Sequence, residues 1–400
     1  MNNNKLLLIS LVFYPDEVAV ANLFTSLSTV LVSQGYDMEV WCAQPSYTST
    51  AKQPKTLIYK GIKINYLKST SFRKDNFAGR IVNVFTFSFI VVLRLLFSAS
   101  KTQVISHTTP PFLAIIISLI CKIKKRHFVY VLMDIFPDGL IRLKKVSHRN
   151  VFIKIWYTWH LAALKRCTKI VVIGRDMLKW IKEIYPEDSG KISYIPVWQD
   201  EDVIRPMDFK SNPFVVKNQL GDEFVVQYSG NMGLWNEMET IGKAINGKPD
   251  KIKFVFIGSG IRRNELLNTI KSGSANVVYF QFQSNADYAQ SVAACHVGLV
   301  SLRDGLEGIA VPSKIIGIMA AGIPVIALVP AQSEIAYIVR EENCGYIIHP
   351  SDSEGLLNAI IKLRSDENLR AKFGKNGRDA FLKKYTTRII ARSYESILKE

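Results

Sequence analysis

Short apolar runs alternate with longer amphipathic stretches along nearly the whole chain. Five apolar runs predict buried strands in the first half: Lys5–Phe13, Met38–Cys42, Gln103–Ser106, His127–Met133 and Lys169–Gly174. Helical patterns lie between them, over Val18–Gln34, 112–123 and Asp176–Ile184. Continuous apolar strands that alternate with helices indicate a parallel, doubly wound sheet.

The pattern breaks after Ile195, in the segment IPVWQDEDVIRPMDFKSNPF, which contains three prolines and several acidic residues. Such a composition predicts a linker. Strand-like runs then resume at Phe224–Tyr228, Lys253–Gly258, Val277–Phe280, Val297–Ser301 and Val325–Ala327. The sequence therefore predicts an α/β protein of two Rossmann-like, doubly wound domains facing across a cleft, over residues 1–200 and 201–385.

Charge and cysteine content narrow the class of protein. The 400 residues have a formal net charge of +17, and residues 51–150 hold 18 Lys and Arg against three Asp and Glu. This basic segment is either a solubility surface or a surface for an anionic partner such as phosphate, nucleic acid or membrane. The five cysteines show no CxxC spacing, so neither a disulfide framework nor a zinc site is expected.

Two apolar runs, Val84–Leu93 and Phe112–Cys121, bear on membranes. Each has about ten residues, fewer than the roughly 18–20 that cross a bilayer. They are either core helices or helices lying against a membrane surface. Val151–Arg166 mixes aromatic and basic residues, which suits either a membrane interface or an ordinary amphipathic helix. The N-terminal run is expected to be a first strand, since no small-residue cleavage site precedes Pro15.

Glycine-rich loops follow two strands of the second half, at Ser229–Gly233 and Gly258–Gly260. Such loops either make tight turns or let the backbone approach a phosphate. A third loop, Gly305–Lys314, ends where a helix is predicted to begin. A cation is unfavourable at a helix N-terminus, so Lys314 is predicted to share an anion with that helix.

The motifs SGNMG, FIGSGIRRNEL and AVPSKIIGIMAAGIPVIA, in this order, resemble glycosyltransferases of the GT-B fold, family 4. The resemblance runs nearly end to end and is greatest to the subgroup that builds bacterial O-antigen, capsule and exopolysaccharide repeat units. It implies a retaining transfer from a nucleotide-sugar that needs no metal or other cofactor. It also implies that a final helix, 386–400, returns to the first domain.

The resemblance implies roles for individual residues. Glu307 would lie beside the donor sugar as a catalytic residue. The donor would be bound by Gly230, Asn231, Gly233, Ser259, Arg262, Phe282, Gly305, Gly308, Pro312, Ser313 and Lys314. Three features depart from the family pattern. Gly317 stands at the position of the second of two glutamates, and Asn231-Met232 stand in the region of an arginine that usually follows the first strand of the second domain. Phe13–Glu17 replaces a glycine-rich first loop.

Candidates for acceptor chemistry lie in the first domain. His107 and Asp134 are the catalytic candidates, because either could orient an acceptor hydroxyl or accept its proton. Asp16, Glu17 and Asp138 are expected on the acceptor side. Each of these residues has a second interpretation as a helix cap or a loop hydrogen bond. In retaining enzymes of this fold the leaving phosphate can itself take the proton.

The sequence is compatible with three functions. The first is a glycosyltransferase acting on an undecaprenyl-diphosphate-linked glycan, cytoplasmic and peripheral on the inner face of the bacterial membrane. The second is a nucleotide-sugar epimerase on the same fold, and the third is a non-catalytic protein that binds anionic membranes. Nucleic acid is not an expected partner, since no nucleic-acid motif is present and the aromatic residues do not interleave with a basic stripe.

Overall fold

The computed structural model describes residues 4–45, 52–72, 77–98, 102–247, 251–270 and 276–399. It divides into two compact units, 1–196 with 387–400, and 197–386. The sequence placed this boundary at residue 200, four residues later.

Before the chain leaves it, unit 1 contains eight strands and six α-helices in the part of the chain that the structure describes. In chain order they are β1 Lys5–Ile9, α1 Ala19–Ser33, β2 Asp37–Ala43, β3 Thr56–Tyr59, β4 Ile62–Leu67, α2 Phe77–Phe97, β5 Gln103–His107, α3 Leu113–Ile123, β6 Phe128–Leu132, α4 Asp138–Arg142, α5 Val151–Arg166, β7 Lys169–Val172, α6 Arg175–Ile184 and β8 Ile192–Tyr194. The strand order is β3-β4-β2-β1-β5-β6-β7-β8. All pairs are parallel except β3 with β4.

The central strands of unit 1 are apolar because helices cover both faces of the sheet. In β1, Leu6 to Ile9 are at most 3% exposed, and Leu8 is paired with Val40 on one side and Ile105 on the other. Helix α1 connects β1 to β2, a connection that runs toward the β3 edge of the sheet. The connections that contain α2, α3 and α5 run toward the β8 edge, from β4 to β5, from β5 to β6 and from β6 to β7. Because such crossovers are right-handed, α1 covers one face and α2, α3 and α5 cover the other.

Unit 2 repeats the architecture, with six parallel strands among its described residues. Its elements are α7 Pro213–Lys217, β9 Phe224–Ser229, α8 Glu239–Ile245, β10 Ile252–Ile257, α9 Arg263–Thr269, β11 Asn276–Phe280, α10 Asn285–Val292, β12 Val297–Ser301, α11 Lys314–Ala320, β13 Val325–Leu328, α12 Glu334–Glu342, β14 Gly345–Ile348, α13 Ser353–Ser365 and α14 Glu367–Lys384. The strand order is β11-β10-β9-β12-β13-β14. The core includes Tyr228, Phe254 and Phe256, each at most 1% exposed.

The last helix, α15 (Thr387–Lys399), belongs to unit 1. It packs on α1, and the Thr387 hydroxyl lies 3.4 Å from that of Ser26. Near its end, the carbonyl oxygen of Leu398 accepts a hydrogen bond from the Gln103 side chain at 3.2 Å. The chain thus leaves unit 1 after Pro196 and returns to it at Thr387.

Helix α2 is longer than the sequence predicted. The sequence predicted an apolar run of about ten residues, but the helix extends over 21 residues. It continues through the polar positions Arg80, Asn83 and Arg94, which interrupt the apolar run without interrupting the helix. Its segment Ala78–Phe97 is long and apolar enough to cross a membrane by length and composition, and 22% of that window is buried.

Candidate functional site

The carboxyl ends of β9, β10, β11 and β12 lie at one edge of the unit 2 sheet, because all four strands are parallel. The two glycine loops and the segments Gln281–Gln283 and Arg303–Lys314 follow these ends. Ligands of open α/β sheets bind at this edge. The predicted donor-side residues therefore share one edge of one unit.

Glycines let the loops after β9 and β10 pack backbone to backbone. Gly258 has φ +124°, and a Cβ there would lie 2.4 Å from the carbonyl oxygen of Gly230. At Gly260 the Cβ would lie 2.3 Å from the carbonyl oxygen of Met232. The Met232 N–H donates to the carbonyl of Ser259 at 2.8 Å, which joins the loops. These two positions accept only glycine without moving backbone.

Lys314 lies over these loops. Its Nζ donates to the Tyr228 hydroxyl at 2.5 Å and lies 3.5 Å from the carbonyl oxygen of Asn231. A Cβ on Gly230 would lie 3.2 Å from Cε of Lys314. Burial lowers the pKa of Lys314 to about 7. Within the described residues its ammonium meets no carboxylate, which makes it a ready partner for an anion.

Pro312 and Ser313 lead into α11 just before Lys314, and both are partly buried. Ser313 occupies the position before the first helical residue, but its hydroxyl makes no capping hydrogen bond. Helix α11 therefore begins without a side-chain cap from Ser313.

Arg262 is placed differently from the sequence-based expectation. It is 8% exposed, and its Nε donates to Oε2 of Glu265 at 2.6 Å while Nη2 contacts Oε1 of the same carboxylate. This bidentate pair neutralises the charge that was expected to reach a diphosphate. Nη1 is buried and, within the described residues, has no hydrogen-bond partner. The i, i+3 spacing of Arg262 and Glu265 was the available sequence signal.

Phe282 presents an aromatic ring at the same edge. It is 46% exposed, and its Cε1 lies 3.1 Å from the position of a Cβ on Gly258. A ring that is partly exposed beside a glycine loop can stack against a planar group.

The loop after β12 contains Glu307, which is half-buried between Gly305 and Gly308, with φ of +75° and +76°. Asn236, which the sequence did not single out, ties this region to the loop after β9. Its Oδ1 accepts the Gly233 N–H at 2.9 Å, and its Nδ2 donates to the Ser301 carbonyl at 3.0 Å. Asn236 thereby fixes Gly233 relative to the end of β12.

Gly317 faces Tyr288, a second residue that the sequence did not single out. A Cβ on Gly317 would lie 3.3 Å from the Tyr288 hydroxyl and 3.5 Å from Cδ1 of Ile204. Burial raises the pKa of Tyr288. Tyr288 and Lys314 both line a small cavity, together with Gln227 and Ser229. A neutral phenol thus stands where the family pattern would place the second carboxylate.

The carboxyl edge of the unit 1 sheet carries the acceptor-side candidates. Asp134 follows β6, and its N–H donates to the Thr108 hydroxyl at 3.2 Å. Burial raises the pKa of Asp134 to about 6. Asp16 is 4% exposed in the loop after β1, and Glu17 next to it is partly buried. A carboxyl with this pKa is suited to proton exchange near neutrality.

His107 lies in the core, contrary to its expected place beside an acceptor. It is 0% exposed, with Nε2 2.8 Å from the Ser10 hydroxyl and Nδ1 accepting the Thr109 N–H at 3.2 Å. The Ser10 hydroxyl donates to the Val12 carbonyl at 2.6 Å, so Nε2 carries the proton. Burial lowers the pKa of His107 to about 3. Both ring nitrogens of this neutral imidazole are used inside the protein.

Asp138 begins α4 and is 6% exposed. Burial raises its pKa, while the charge of Arg142 acts in the opposite direction. Its Oδ2 has no hydrogen-bond partner within the described residues. Those residues also contain no cluster of three or more His, Cys, Asp or Glu side chains that could hold a metal ion.

Known proteins resemble this chain in sequence and in fold. Residues 211–380 match the family described as Glycosyl transferases group 1. The "Probable glycosyltransferase WbjE" of Pseudomonas aeruginosa is 28% identical over 279 residues, which are 69% of this chain and 70% of that protein.

Two solved structures share the fold. Sucrose-phosphate synthase from Thermosynechococcus elongatus superposes with a TM-score of 0.76 at 16% identity, over 98% of both chains. HepE from Anabaena, in complex with UDP-glucose, gives a TM-score of 0.69 at 14% identity over 98% of this chain and 99% of that one. The structural likenesses extend to both units, and the structure therefore has a GT-B fold, in which residues 211–380 of the second unit resemble the Glycosyl transferases group 1 family.

Proposed function

We propose that the protein is a retaining glycosyltransferase that moves a sugar from a nucleotide-sugar donor to a lipid-diphosphate-linked glycan. The family match of residues 211–380 supports a glycosyltransferase enzyme. The observation that carries the donor assignment is Lys314, a lysine with a lowered pKa that lies over two glycine loops and, among the residues that the structure describes, meets no carboxylate.

In this proposal the donor diphosphate lies between Lys314 and the glycine loops of unit 2. The Lys314 ammonium compensates the negative charge that grows on the leaving diphosphate, which is the largest electrostatic demand of the reaction. Phe282 stacks on the nucleobase, and Glu307 lies beside the sugar. The solved HepE structure holds UDP-glucose on the same fold, which supports a donor of that chemical class.

The reaction breaks the bond between the anomeric carbon and a diphosphate oxygen and forms one to the acceptor oxygen. The acceptor proton goes either to the leaving phosphate or to Asp134, whose pKa of about 6 suits a base at neutral pH. Because Lys314 supplies the positive charge at the diphosphate, we propose that no metal ion is required. Undiminished turnover in a chelator would support this, and loss of turnover restored by magnesium would overturn it.

We place the acceptor on an undecaprenyl-diphosphate carrier at the inner face of a bacterial membrane, in surface polysaccharide synthesis. The support is the basic character of unit 1, where residues 51–150 hold 18 Lys and Arg against three Asp and Glu. A diphosphate carrier in an anionic bilayer matches that charge.

The deciding experiment has two stages. Calorimetry with a panel of UDP-, GDP- and dTDP-sugars first identifies a donor; absence of binding to all of them would favour a non-catalytic protein. Incubation of the bound donor with a synthetic lipid-diphosphate acceptor then gives a product whose anomeric configuration is read by NMR. Isomerisation of the donor without transfer would indicate an epimerase, and an inverted product would contradict retention.

A further inference from the structure

Helix α2 turns an apolar face outward from unit 1. Phe85, Phe89 and Phe97 are 70%, 64% and 84% exposed, and their spacing by multiples of four places them along one i, i+4 row of the helix. Ile81 and Leu93 belong to the same row. The opposite row, Phe87, Val91 and Leu95, is fully buried. Helix α2 is therefore apolar on the side that faces solvent as well as on the side that faces the sheet.

The two neighbouring helices continue this surface. On α3, Ile116, Leu119 and Ile123 are exposed, and on α5 the exposed residues include Phe152 (80%) and Trp159 (57%). Helix α2 packs against α3, and α3 packs against α5. Single exposed apolar residues are ordinary on soluble proteins, but three adjacent helices with outward apolar rows form an interaction surface. We call the outward sides of α2, α3 and α5 the apolar face.

The charges around the apolar face have one sign. From Phe77 to Arg166 the sequence holds 14 Lys and Arg but only two acidic residues, Asp134 and Asp138. Both acidic residues lie at or near the carboxyl end of β6. Lys122 and Lys125 are exposed at the end of α3, and Lys154 is exposed on α5. Two copies of this chain meeting through the apolar face would bring these cations together, whereas an anionic surface would attract them.

Helix α2 is held in unit 1 by its polar residues as well. The Asn83 side chain accepts the Phe72 N–H at 2.9 Å and donates to the Phe72 carbonyl at 2.8 Å. The Arg94 guanidinium lies 4.7 Å from the ring centre of Trp41. A helix that spans a bilayer on its own would lose these contacts and expose the side of unit 1 that it covers. The contacts favour a helix lying in the plane of a membrane surface.

We propose that the apolar face inserts into an anionic lipid bilayer, with α2, α3 and α5 in the plane of the membrane and the surrounding cations on lipid phosphates. Exposed aromatic and aliphatic side chains enter the boundary between headgroups and acyl chains, and lysines bind the headgroups. This proposal concerns unit 1 alone and stands whether or not the chain transfers sugars.

Vesicle co-sedimentation tests the proposal with the full chain. Vesicles of equal parts phosphatidylglycerol and phosphatidylcholine should pellet the protein, and added salt should weaken binding. The double variant F85S/F89S should partition about tenfold more weakly or worse, since each phenylalanine loses its apolar burial. Its control is I58S in β3, because Ile58 is 65% exposed outside the apolar face. Equal binding by F85S/F89S and I58S would overturn the proposal.

Further measurements test the lipid headgroup preference, the depth of insertion and the identity of the partner that covers the apolar face. The variant K122Q/K125Q should lose preference for phosphatidylglycerol over phosphatidylcholine while F85S/F89S loses binding to both. Acyl-chain bromine should quench tryptophan emission less in Trp159→Phe than in the wild type. Resistance of the bound protein to an alkaline carbonate wash would contradict in-plane docking in favour of a spanning helix. A dimer that F85S/F89S dissociates, without vesicle binding, would assign the apolar face to a second copy.

Two readouts keep these results independent of folding and of the proposed activity. The thermal midpoint of each variant should match that of the wild type, because the substituted side chains are exposed. Nucleotide-sugar affinity, which belongs to unit 2, should also be unchanged. Vesicle binding with no nucleotide-sugar affinity would support membrane insertion of the apolar face and reject the donor site. Nucleotide-sugar affinity without vesicle binding would support the donor site and reject membrane insertion.

Discussion

The ammonium of Lys314 donates a 2.5 Å hydrogen bond to the hydroxyl of Tyr228, which in turn donates to the carbonyl of Asn231 at 3.1 Å. Tyr228 is the penultimate residue of β9, and Lys314 is the first residue of α11. A strand end and a helix start, 86 residues apart in sequence, therefore meet through one polar contact. This contact holds the lysine over Gly230 before any anion is bound.

Replacing Lys314 by methionine should weaken nucleotide-sugar binding by about 10- to 100-fold, since a charge-assisted contact to phosphate contributes about 1.5–3 kcal/mol. Thermal unfolding should be unchanged or shifted upward, because burial disfavours the ammonium. The matched control is Lys243→Met, in which the lost lysine pairs with Glu239 on the surface. Calorimetry checks both; equal affinities of the two variants would remove Lys314 from the donor site.

Donor affinity should fall as pH rises through about 7. The pKa of Lys314 is lowered to about 7 by burial, so below that pH the ammonium is present and above it binding must first supply a proton. A nucleotide-sugar is the suitable probe, because its diphosphate diester keeps its charge over this range. Lys314→Arg should bind with no such pH dependence. A wild-type affinity that stays constant from pH 6 to about pH 9 would contradict this assignment.

Gly258→Ala should lower the free energy of unfolding by about 2 kcal/mol or more, because its Cβ would meet the backbone oxygen of Gly230 at 2.4 Å. Gly305→Ala is the comparison, since it also has a positive φ but no heavy atom within 4 Å of the added Cβ. That variant should lose only about 1–2 kcal/mol of backbone strain. Chemical denaturation measures both, and similar losses would mean that loop packing is not the constraint.

His107→Ala should destabilise unit 1 by about 2–4 kcal/mol through the lost contacts with Ser10 and Phe24. The pKa of His107 is lowered to about 3, so the unfolded chain binds more protons between that pH and its ordinary 6.5. Stability should therefore decline as pH falls from about 6.5 toward 3, and less steeply in the variant. Denaturation at several pH values tests this; identical slopes would contradict it.

Asp134→Asn should lower turnover and remove the acid limb of the pH profile if Asp134 accepts the acceptor proton. The pKa of Asp134 is raised to about 6 by burial, so the wild-type rate should fall below that pH as the carboxyl becomes protonated. Asp138→Asn is the control variant with which the pH profile of Asp134→Asn is compared. A profile in Asp134→Asn with the wild-type acid limb would assign the proton to the leaving phosphate.

The sheets were predictable because their central strands are continuous apolar runs bounded by turns. The length of α2 was not, because Asn83 and Arg94 interrupt the apolar pattern and are satisfied by partners, Phe72 and Trp41, that sequence does not reveal. Edge strands such as β3, where only one neighbour constrains the pattern, were missed for a related reason.

Site residues also divide into those with a local sequence signal and those whose role depends on a distant partner. Glycine loops and Lys314 carry a local signal, namely a strand end or a helix start. The core position of His107 depends on Ser10, which is 97 residues away. The role of Tyr228 depends on Lys314 across 86 residues. Arg262 is the exception, because its partner Glu265 lies within one helical turn and could have been paired from sequence alone.

The return of α15 to unit 1 has a consequence for synthesis on the ribosome. Helix α1 emerges early, but the helix that covers it follows only after all of residues 197–386. Unit 2 is continuous and can fold as soon as it leaves the exit tunnel. Unit 1 must wait with one side of α1 uncovered, and it becomes complete only after unit 2. Unit 2 is thus completed before unit 1, although unit 1 begins first.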